Sequence, residues 1–167
     1  MTETVLVKVF EHNNWANSQI IQACSALSDE QLDAEPQLAT YGSIRRTLVH
    51  LVTSQQGYLR LLTLPLEDRL DPVAPPPFAE LQKVASDSGE ALLALARDEA
   101  SRPIKGRLQT RDGFFVEPWV VMVQVINHAT EHREQINSVL STLGVTPPDL
   151  DGWCYGEVTK ALIPIAP

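Results

Sequence analysis

The sequence is poor in cysteine, in positive charge and in long apolar runs, and each shortage excludes a class of protein. Only two cysteines, Cys24 and Cys154, occur in 167 residues, which excludes a disulfide framework and favours buried thiols in a reducing compartment. No apolar run is long enough to cross a bilayer, so we expect no membrane-inserted segment. The 13 Lys and Arg are scattered among 21 Asp and Glu, and the net charge is -8. We therefore expect no nucleic-acid partner, because its phosphates would be repelled.

The length predicts one domain over residues 1–167, because a chain of this size can bury a single core without disulfide bonds. The first residues include Glu3 and lack a basic segment followed by an apolar one, which is not the pattern of an export signal. We therefore expect a cytoplasmic protein. Its partner is expected to be a small molecule or a second copy of the chain.

Apolar residues recur at gaps of three and four along four long segments, which is the period of amphipathic helices. The predicted helices cover residues 3–27, 44–64, 78–100 and 118–144. Ser43 is an N-cap for the second helix, Pro118 suits a first turn, and Gly144 suits the position after a C-terminus. Gly89 has a low helix propensity and should weaken the third helix. Residues 101–103 should end this helix.

The segments between the long helices carry shorter predicted elements. Residues 27–32 predict a single capped turn that begins at Ser28, and residues 64–77 predict a proline-rich loop without regular structure. Residues 104–117 predict a β-hairpin, in which Asp112 and Gly113 suit the two positive-φ positions of a type I′ turn. Residues 153–162 predict a short closing helix. The fold class is therefore all-α, a four-helix bundle with a small hairpin before its last long helix and a short C-terminal helix.

Two of the four histidines, His128 and His132, stand four residues apart on the last long helix. Residues at this spacing lie on one helix face, with Cβ atoms about 5–6 Å apart, so both imidazoles can reach one metal ion. Facing helices of a bundle can complete such a site, and His50 on the second helix is the candidate third ligand. Three imidazoles suit Zn, Ni, Fe or Cu and leave positions for water or substrate. Such an open site points to Lewis-acid catalysis or to a bound nucleophile.

Other polar residues near these histidines have weaker claims to a role. Glu131 lies about 60° around the helix from His128, so it is a candidate general base or neighbour of the metal, although a solvated surface acid is the simpler interpretation. Arg133 and Gln135 are expected to be neighbours of the site or surface groups. His12 sits in a polar interruption of the first helix and is expected to face solvent or to be hydrogen-bonded.

Neither cysteine predicts a nucleophile, because Cys24 falls on an apolar stripe and Cys154 has no basic neighbour. Four large aromatic residues are candidates for a pocket wall, although a core role is expected for each of them. These residues are Trp15, Tyr58, Trp119 and Trp153.

Three motifs, taken together, give the chain a resemblance to the DinB/YfiT-like family of helical-bundle metalloproteins. They are Asn13-Asn14-Trp15-Ala16-Asn17, a Ser-Ile-x-x-Thr-Leu-x-His-Leu element from Ser43 to Leu51, and an Asn-His-x-x-x-His-Arg-x-Gln element from Asn127 to Gln135. The resemblance implies a divalent metal bound by His50, His128 and His132, and frequent dimerisation. It also implies, for some relatives, transferase or isomerase chemistry that uses a low-molecular-weight thiol.

The third motif departs from the family pattern at Glu131 and Glu134, where the family often has histidine and glycine. Glu131 also completes a His-x-x-Glu-His pattern, which is typical of inverted zinc metallopeptidases with a glutamate general base. The downstream acidic ligand and the larger context of those enzymes are absent. Our main hypothesis is a metal-dependent enzyme that acts on a small molecule, of transferase, isomerase or hydrolase type. The alternative is a metal-binding or oligomerising bundle without catalysis.

Overall fold

Four long helices carry most of the chain in the computed structural model, which describes residues 3–36, 39, 41–69, 71–99 and 104–165. Within these residues there are six α-helices: α1 Val5–Ser25, α2 Asp29–Asp33, α3 Ile44–Thr63, α4 Leu81–Asp98, α5 Pro118–Thr142 and α6 Gly152–Val158. Two strands, β1 Leu108–Gln109 and β2 Phe115–Val116, pair antiparallel. The predicted fold class is confirmed.

The long helices close into a bundle in which α1 packs against α4 and α5, and α3 packs against the same two helices. Buried apolar residues form two clusters, one around Ile20, Leu48 and Leu140 and the other around Phe10 and Val125. Following the chain, α1 and α5 run from the second cluster to the first, while α3 and α4 run the opposite way. The middle of the bundle, between the clusters, is polar. The buried polar residues of this middle layer are Asn13, Asn17, Gln55, Ser88, His132 and Arg133.

The helix ends follow from local side-chain chemistry. Ser43 Oγ accepts a hydrogen bond from Arg46 N at 3.3 Å and caps α3. Ser28 and Gln31 form a reciprocal capping box on α2. Pro118 occupies the first turn of α5, and Gly144 follows its C-terminus with a φ of 72°, a conformation that favours glycine. These predicted signals therefore lie where the helices begin and end.

The hairpin turn differs from the prediction. A type I′ turn needs positive φ at both Asp112 and Gly113, but of the two only Gly113 has one, at 91°. Thr110 N donates to Phe114 O at 2.7 Å, and Gly113 N donates to Thr110 O at 3.4 Å. Residues 111–113 therefore form a three-residue loop, in which a type I turn precedes one left-handed glycine. The type I′ prediction is wrong because the longer loop needs only one positive φ.

Several predicted boundaries also shift. The loop of residues 64–77 contains a 3-10 turn at Leu66–Arg69, and the first turn of the third predicted helix, Phe78–Glu80, is 3-10. The α6 helix ends at Val158 and not at residue 162, because Lys160 adopts a φ of 58° and turns the chain back. The predicted end of the third helix at residue 100 and its stop signal at 101–103 lie outside the described residues. No helix of the described residues is both long and apolar enough to span a membrane.

Gly57 and Gly89 both lie inside helices, and alanine should affect them in opposite directions. A Cβ at Gly89 would lie 2.6 Å from Asn14 Oδ1 on α1, while a Cβ at Gly57 would meet nothing within 4 Å. Alanine is more favourable than glycine in a helix by about 0.8–1.0 kcal/mol, so Gly57→Ala should raise the free energy of unfolding by about that much. Gly89→Ala should lower it by about 1–2 kcal/mol, because α1 must move or Asn14 must change rotamer. Urea denaturation measures both changes, and equal stability of the two variants would contradict the close approach.

Candidate metal centre

The packing of α3 against α5 brings three histidines together in the middle of the bundle. His50 projects from α3, and His128 and His132 project from one face of α5. The Nε2 atom of His128 lies 3.0 Å from that of His50 and 3.1 Å from that of His132. The ligating atoms of the three residues all lie within 4.8 Å of one another. The structure thus assembles the three residues that the sequence predicted as ligands.

Gln135 orients His132, one turn further along α5. The Nδ1 atom of His132 lies 2.7 Å from Gln135 Oε1. A carbonyl oxygen can only accept, so Nδ1 is the donor, and in the neutral imidazole the lone pair is then on Nε2, which lies 3.1 Å from His128 Nε2. Donation from the far ring nitrogen to a fixed acceptor is the usual way in which proteins orient a metal-ligating histidine.

The three nitrogens fit a divalent metal on two grounds. Nitrogens bonded to one ion at about 2.0–2.1 Å lie no more than about 4.2 Å apart. The two close Nε2 pairs satisfy this limit, and the third pair of ligating atoms, which lies within 4.8 Å, comes near it. Moreover, His128 Nε2 can donate at most one proton, so it cannot donate to both neighbours at once. A cation would satisfy the three lone pairs together.

The protonation states of His50 and His128 also favour metal binding. Burial, followed by the nearby His132 and His50, lowers the pKa of His128 to about 4. Burial, His132 and Arg46 lower the pKa of His50 in the same direction. Both imidazoles are therefore neutral at neutral pH, which is the form that binds a metal ion.

Two tyrosines form walls of the centre. The Tyr41 ring lies 4.7 Å from the His50 ring and 4.8 Å from the His132 ring, centroid to centroid. The Tyr58 ring meets His128 edge-on at 5.6 Å. Tyr58 was among the predicted wall residues, but Tyr41 was missed because it precedes α3 in a connector and carries no periodic signal. Its position directly before the Gly-Ser cap of α3 was the available clue.

The other predicted aromatic residues lie elsewhere. Trp15 packs against His12 and Tyr155, with ring centroids 5.8 and 5.2 Å away. Trp119 is 65% exposed and Trp153 is 72% exposed, so the expected core role is wrong for both. They lie on outward faces of α5 and α6, which hydrophobic periodicity alone did not separate from the core.

His12 and Glu131 remain outside the histidine cluster. His12 Nε2 lies 2.8 Å from Leu150 O, so this histidine is hydrogen-bonded, as predicted. Glu131 is exposed and borders a surface depression with Glu134 and Ser138. No hydrogen bond or ion pair among the described residues joins Glu131 to a histidine of the cluster. The structure therefore gives Glu131 the position of a surface acid.

Arg133 is not a surface group, so that expectation is wrong for it, and none of its hydrogen bonds among the described residues reaches a histidine. It is 3% exposed, and its Nη1 donates to Asn13 Oδ1 at 2.8 Å and to Asn17 Oδ1 at 2.6 Å. Its Nη2 donates to Thr130 Oγ1 at 3.0 Å. Arg133 points to α1 because it follows His132 by one residue, about 100° around the helix. One residue of the predicted polar interruption of α1, Asn13, is thus an acceptor for this arginine, as is Asn17 one turn later, and the helix continues through the interruption.

The hydrogen bonds of Arg133 continue across the bundle. Asn17 Nδ2 donates to Gln55 Oε1 at 2.9 Å, and Gln55 Nε2 donates to Ser88 Oγ at 2.7 Å and to Ala85 O at 2.8 Å. These bonds join α5, α1, α3 and α4 at the level of the histidines. Burial lowers the pKa of Arg133 to about 10, so the guanidinium is still charged at neutral pH. No carboxylate of the described residues forms an ion pair with it.

Neither cysteine is an activated thiol. Cys24 is buried, and burial raises its pKa to about 12. Cys154 is only half-buried, so the expectation of a buried thiol is wrong for it. Partial desolvation and three nearby acids raise the pKa of Cys154. Any thiolate chemistry at the histidine centre would therefore need a thiol from outside the chain.

Comparison with known proteins identifies the family. The family model of the DinB family matches residues 1–164 of the chain. The chain belongs to the DinB family. It is 24% identical over 165 residues to the protein called DinB of Bacillus subtilis (strain 168), an alignment that covers 92% of this chain and 94% of that relative.

A solved structure gives independent support for the fold. A crystal structure of a protein assigned to the DinB family, from Exiguobacterium sibiricum 255-15, matches this chain with a TM-score of 0.69. The match covers 90% of this chain and 100% of the other, at 17% sequence identity. At this identity, the likeness supports the family's helical fold and carries no statement about activity.

Proposed function

We propose that this member of the DinB family is a divalent-metal-dependent enzyme that acts on a small molecule, with the ion held by His50, His128 and His132. The convergence of their three Nε2 atoms is the observation that supports it. Zn, Ni and Fe are the metals to test first, because imidazole ligands suit all three. When bound, the ion would supply a Lewis acid that polarises a substrate or activates a water or thiol.

The residues of the chain have distinct parts in this proposal. Gln135 orients the ring of His132, and burial keeps His50 and His128 neutral, which is the form that offers a lone pair to a metal ion. Tyr41 packs against the His50 and His132 rings, and Tyr58 packs edge-on against the His128 ring. These groups fix the geometry of the ligands before any ion binds, which is the condition for a precise site.

The alternative function is metal binding without catalysis. It would require the ion's remaining positions to be closed by the protein, as in structural zinc sites with four protein ligands. In the described residues, the cluster contains three histidines and no carboxylate or cysteine, which favours an open site. The metallopeptidase interpretation gains no support, because Glu131 is exposed on the outer side of α5.

Metal analysis tests the proposal directly. Protein purified without a histidine tag should contain about one divalent ion per chain, and His50→Ala, His128→Ala and His132→Ala should each reduce the content at least tenfold. The matched control is His12→Ala, which removes the remaining histidine, outside the cluster, and should leave the metal content unchanged. Wild-type protein without stoichiometric metal, or site variants that retain the metal as the control does, would refute the proposal.

The proposal has three further parts. A low-molecular-weight thiol is the co-substrate to test first, since the cysteines of the chain are not activated. A homodimer is proposed because Trp119 and Val123 leave apolar surface exposed on α5, and light scattering of the purified protein tests it. A cytoplasmic location stays a prediction from the sequence.

A further inference from the structure

A cavity of about 270 Å³ is lined by two residues that contact the histidine centre. It shares two residues with the surroundings of the centre: Ser54, whose Oγ is 3.5 Å from His50 Nε2, and Tyr58, whose ring packs on His128. The rest of its lining comes from the end of α3, the 3-10 turn that follows it and the tip of the hairpin. A molecule in this cavity would therefore lie between the hairpin and the two residues, Ser54 and Tyr58, that contact the histidines.

Arg69 is the buried polar group of this cavity. It is 9% exposed, and its Nε is buried without a hydrogen-bond partner among the described residues. Leaving a buried donor unpaired costs about 1–3 kcal/mol, and more on a charged group, so native proteins rarely keep one without a function or a ligand. No ion pair of the described residues neutralises its guanidinium.

Two more arginines line the same cavity. Arg60 donates to the backbone carbonyls of Asp68 at 2.7 Å and Asp71 at 3.4 Å, which fixes its guanidinium at the wall without neutralising it. Arg111, at the exposed tip of the hairpin, has no ion pair among the described residues. Among the described residues of the lining, Asp71 is the single acidic one, against these two arginines and Arg69. The cavity is therefore locally positive in a chain whose net charge is -8.

The remaining lining suits a short apolar body. Leu61 and Val73 contribute alkyl groups, and Gly57 leaves open space beside the wall. Arginine binds carboxylates and phosphates through its planar fork of donors. An anionic group in the cavity would pair with the Arg69 guanidinium, and the other end of a small ligand could then extend toward Ser54 and Tyr58, which contact the histidines.

We propose that this cavity binds the anionic end of the substrate, a carboxylate or a phosphate, with Arg69 as the buried anchor and Arg111 as an outer contact. The inference rests on the proposed function, because it makes the histidine centre the place where the other end of the same molecule reacts. The substrate class is thus a small anionic molecule with a short apolar segment. The positive charge of the cavity lining selects an anionic substrate, since a neutral isostere would leave the Arg69 guanidinium without a partner.

Calorimetric titration tests the cavity with three probes that share a phenyl ring: benzoate, phenyl phosphate and neutral benzamide. Benzoate or phenyl phosphate, or both, should bind, and the tighter of the two identifies the anionic group. Arg69→Gln should weaken that binding about 10- to 100-fold, as expected for a lost charge-assisted contact. Arg111→Gln should weaken it less, by about threefold. Arg107→Gln is the matched control, because it removes an exposed arginine of the same hairpin, paired with Glu117 outside the cavity, and should leave binding unchanged.

Titration of metal-free and zinc-loaded protein separates this inference from the proposed function. Anion binding to metal-free protein that depends on Arg69 supports the cavity even if no metal ever binds. Benzamide binding as tightly as the anions, or no anion binding to either form, would overturn the inference while leaving the metal proposal intact. So would identical affinities for wild type and both cavity variants. If Arg69→Gln does not fold, as judged by circular dichroism, the comparison of Arg111→Gln with Arg107→Gln decides the outcome.

Discussion

Replacing Asn17 by alanine is expected to lower the free energy of unfolding by about 3–5 kcal/mol. Asn17 accepts a hydrogen bond from Arg133 and donates one to Gln55, and all three residues are buried. Its removal takes an acceptor from a buried charge, which is worth about 1.5–3 kcal/mol, and leaves Gln55 Oε1 without its donor at a cost of about 1–3 kcal/mol. Urea denaturation followed by circular dichroism measures the change.

Asn13→Ala is the matched control for this prediction. Asn13 Oδ1 also accepts from Arg133, but its Nδ2 is buried without a partner among the described residues. The substitution therefore removes one hydrogen bond from the network where Asn17→Ala removes two. We expect a loss of about half the size, roughly 2 kcal/mol. If the two variants were equally stable, or if Asn17→Ala lost under about 1 kcal/mol, Arg133 would not depend on this network.

Metal binding is expected to stabilise the fold by about 4 kcal/mol when the free metal concentration is about 1,000 times its Kd. The ion should bind the folded chain far better than the unfolded one, because only folding brings His50 on α3 to the pair on α5. Urea unfolding in zinc buffer and in excess chelator measures the difference. His128→Ala should abolish it, since His128 Nε2 is the nitrogen that lies within 3.1 Å of both others.

Gln135→Ala provides a graded control for the metal prediction. It leaves all three ligands in place but removes the acceptor that orients His132. Loss of such a contact typically weakens metal affinity by about 10- to 100-fold, so we expect the stabilisation at the same zinc concentration to fall by about 1.4–2.7 kcal/mol. A Gln135→Ala variant as metal-sensitive as wild type would show that the His132 ring is held by packing alone. A chelator that leaves the stability of wild type unchanged would contradict the metal centre itself.

Local features of the chain predicted most of the fold. Helical periodicity located the four long helices, and Ser43, Pro118 and Gly144 marked their ends, because capping involves residues within one turn of each other. The type of the hairpin turn was predicted wrongly from the Asp-Gly pair, since the length of the loop depends on which strand residues pair. That pairing, Leu108 with Val116, is a property of two segments and not of the turn.

The histidine centre was predictable only in part. His128 and His132 follow from the spacing of one helix, and His50 followed from its place in a recognised motif. Tyr41, which packs on two of these rings, had no signal because it lies in a connector. The cavity lined by Arg69 had no signal in the sequence either, because three separate segments form its wall.

What the sequence by itself determined is the set of helices, their caps and the His128–His132 pair, since each depends on neighbours within a few residues. Only the tertiary structure decided that Arg133 is a buried cation, that Asn13 and Asn17 of α1 are its acceptors and that Arg69 Nε is buried without a partner among the described residues. The physical reason is that the burial of a polar side chain depends on which helix packs against it. Periodicity within one helix reports its own apolar face and carries no information about the polar partners that another helix brings.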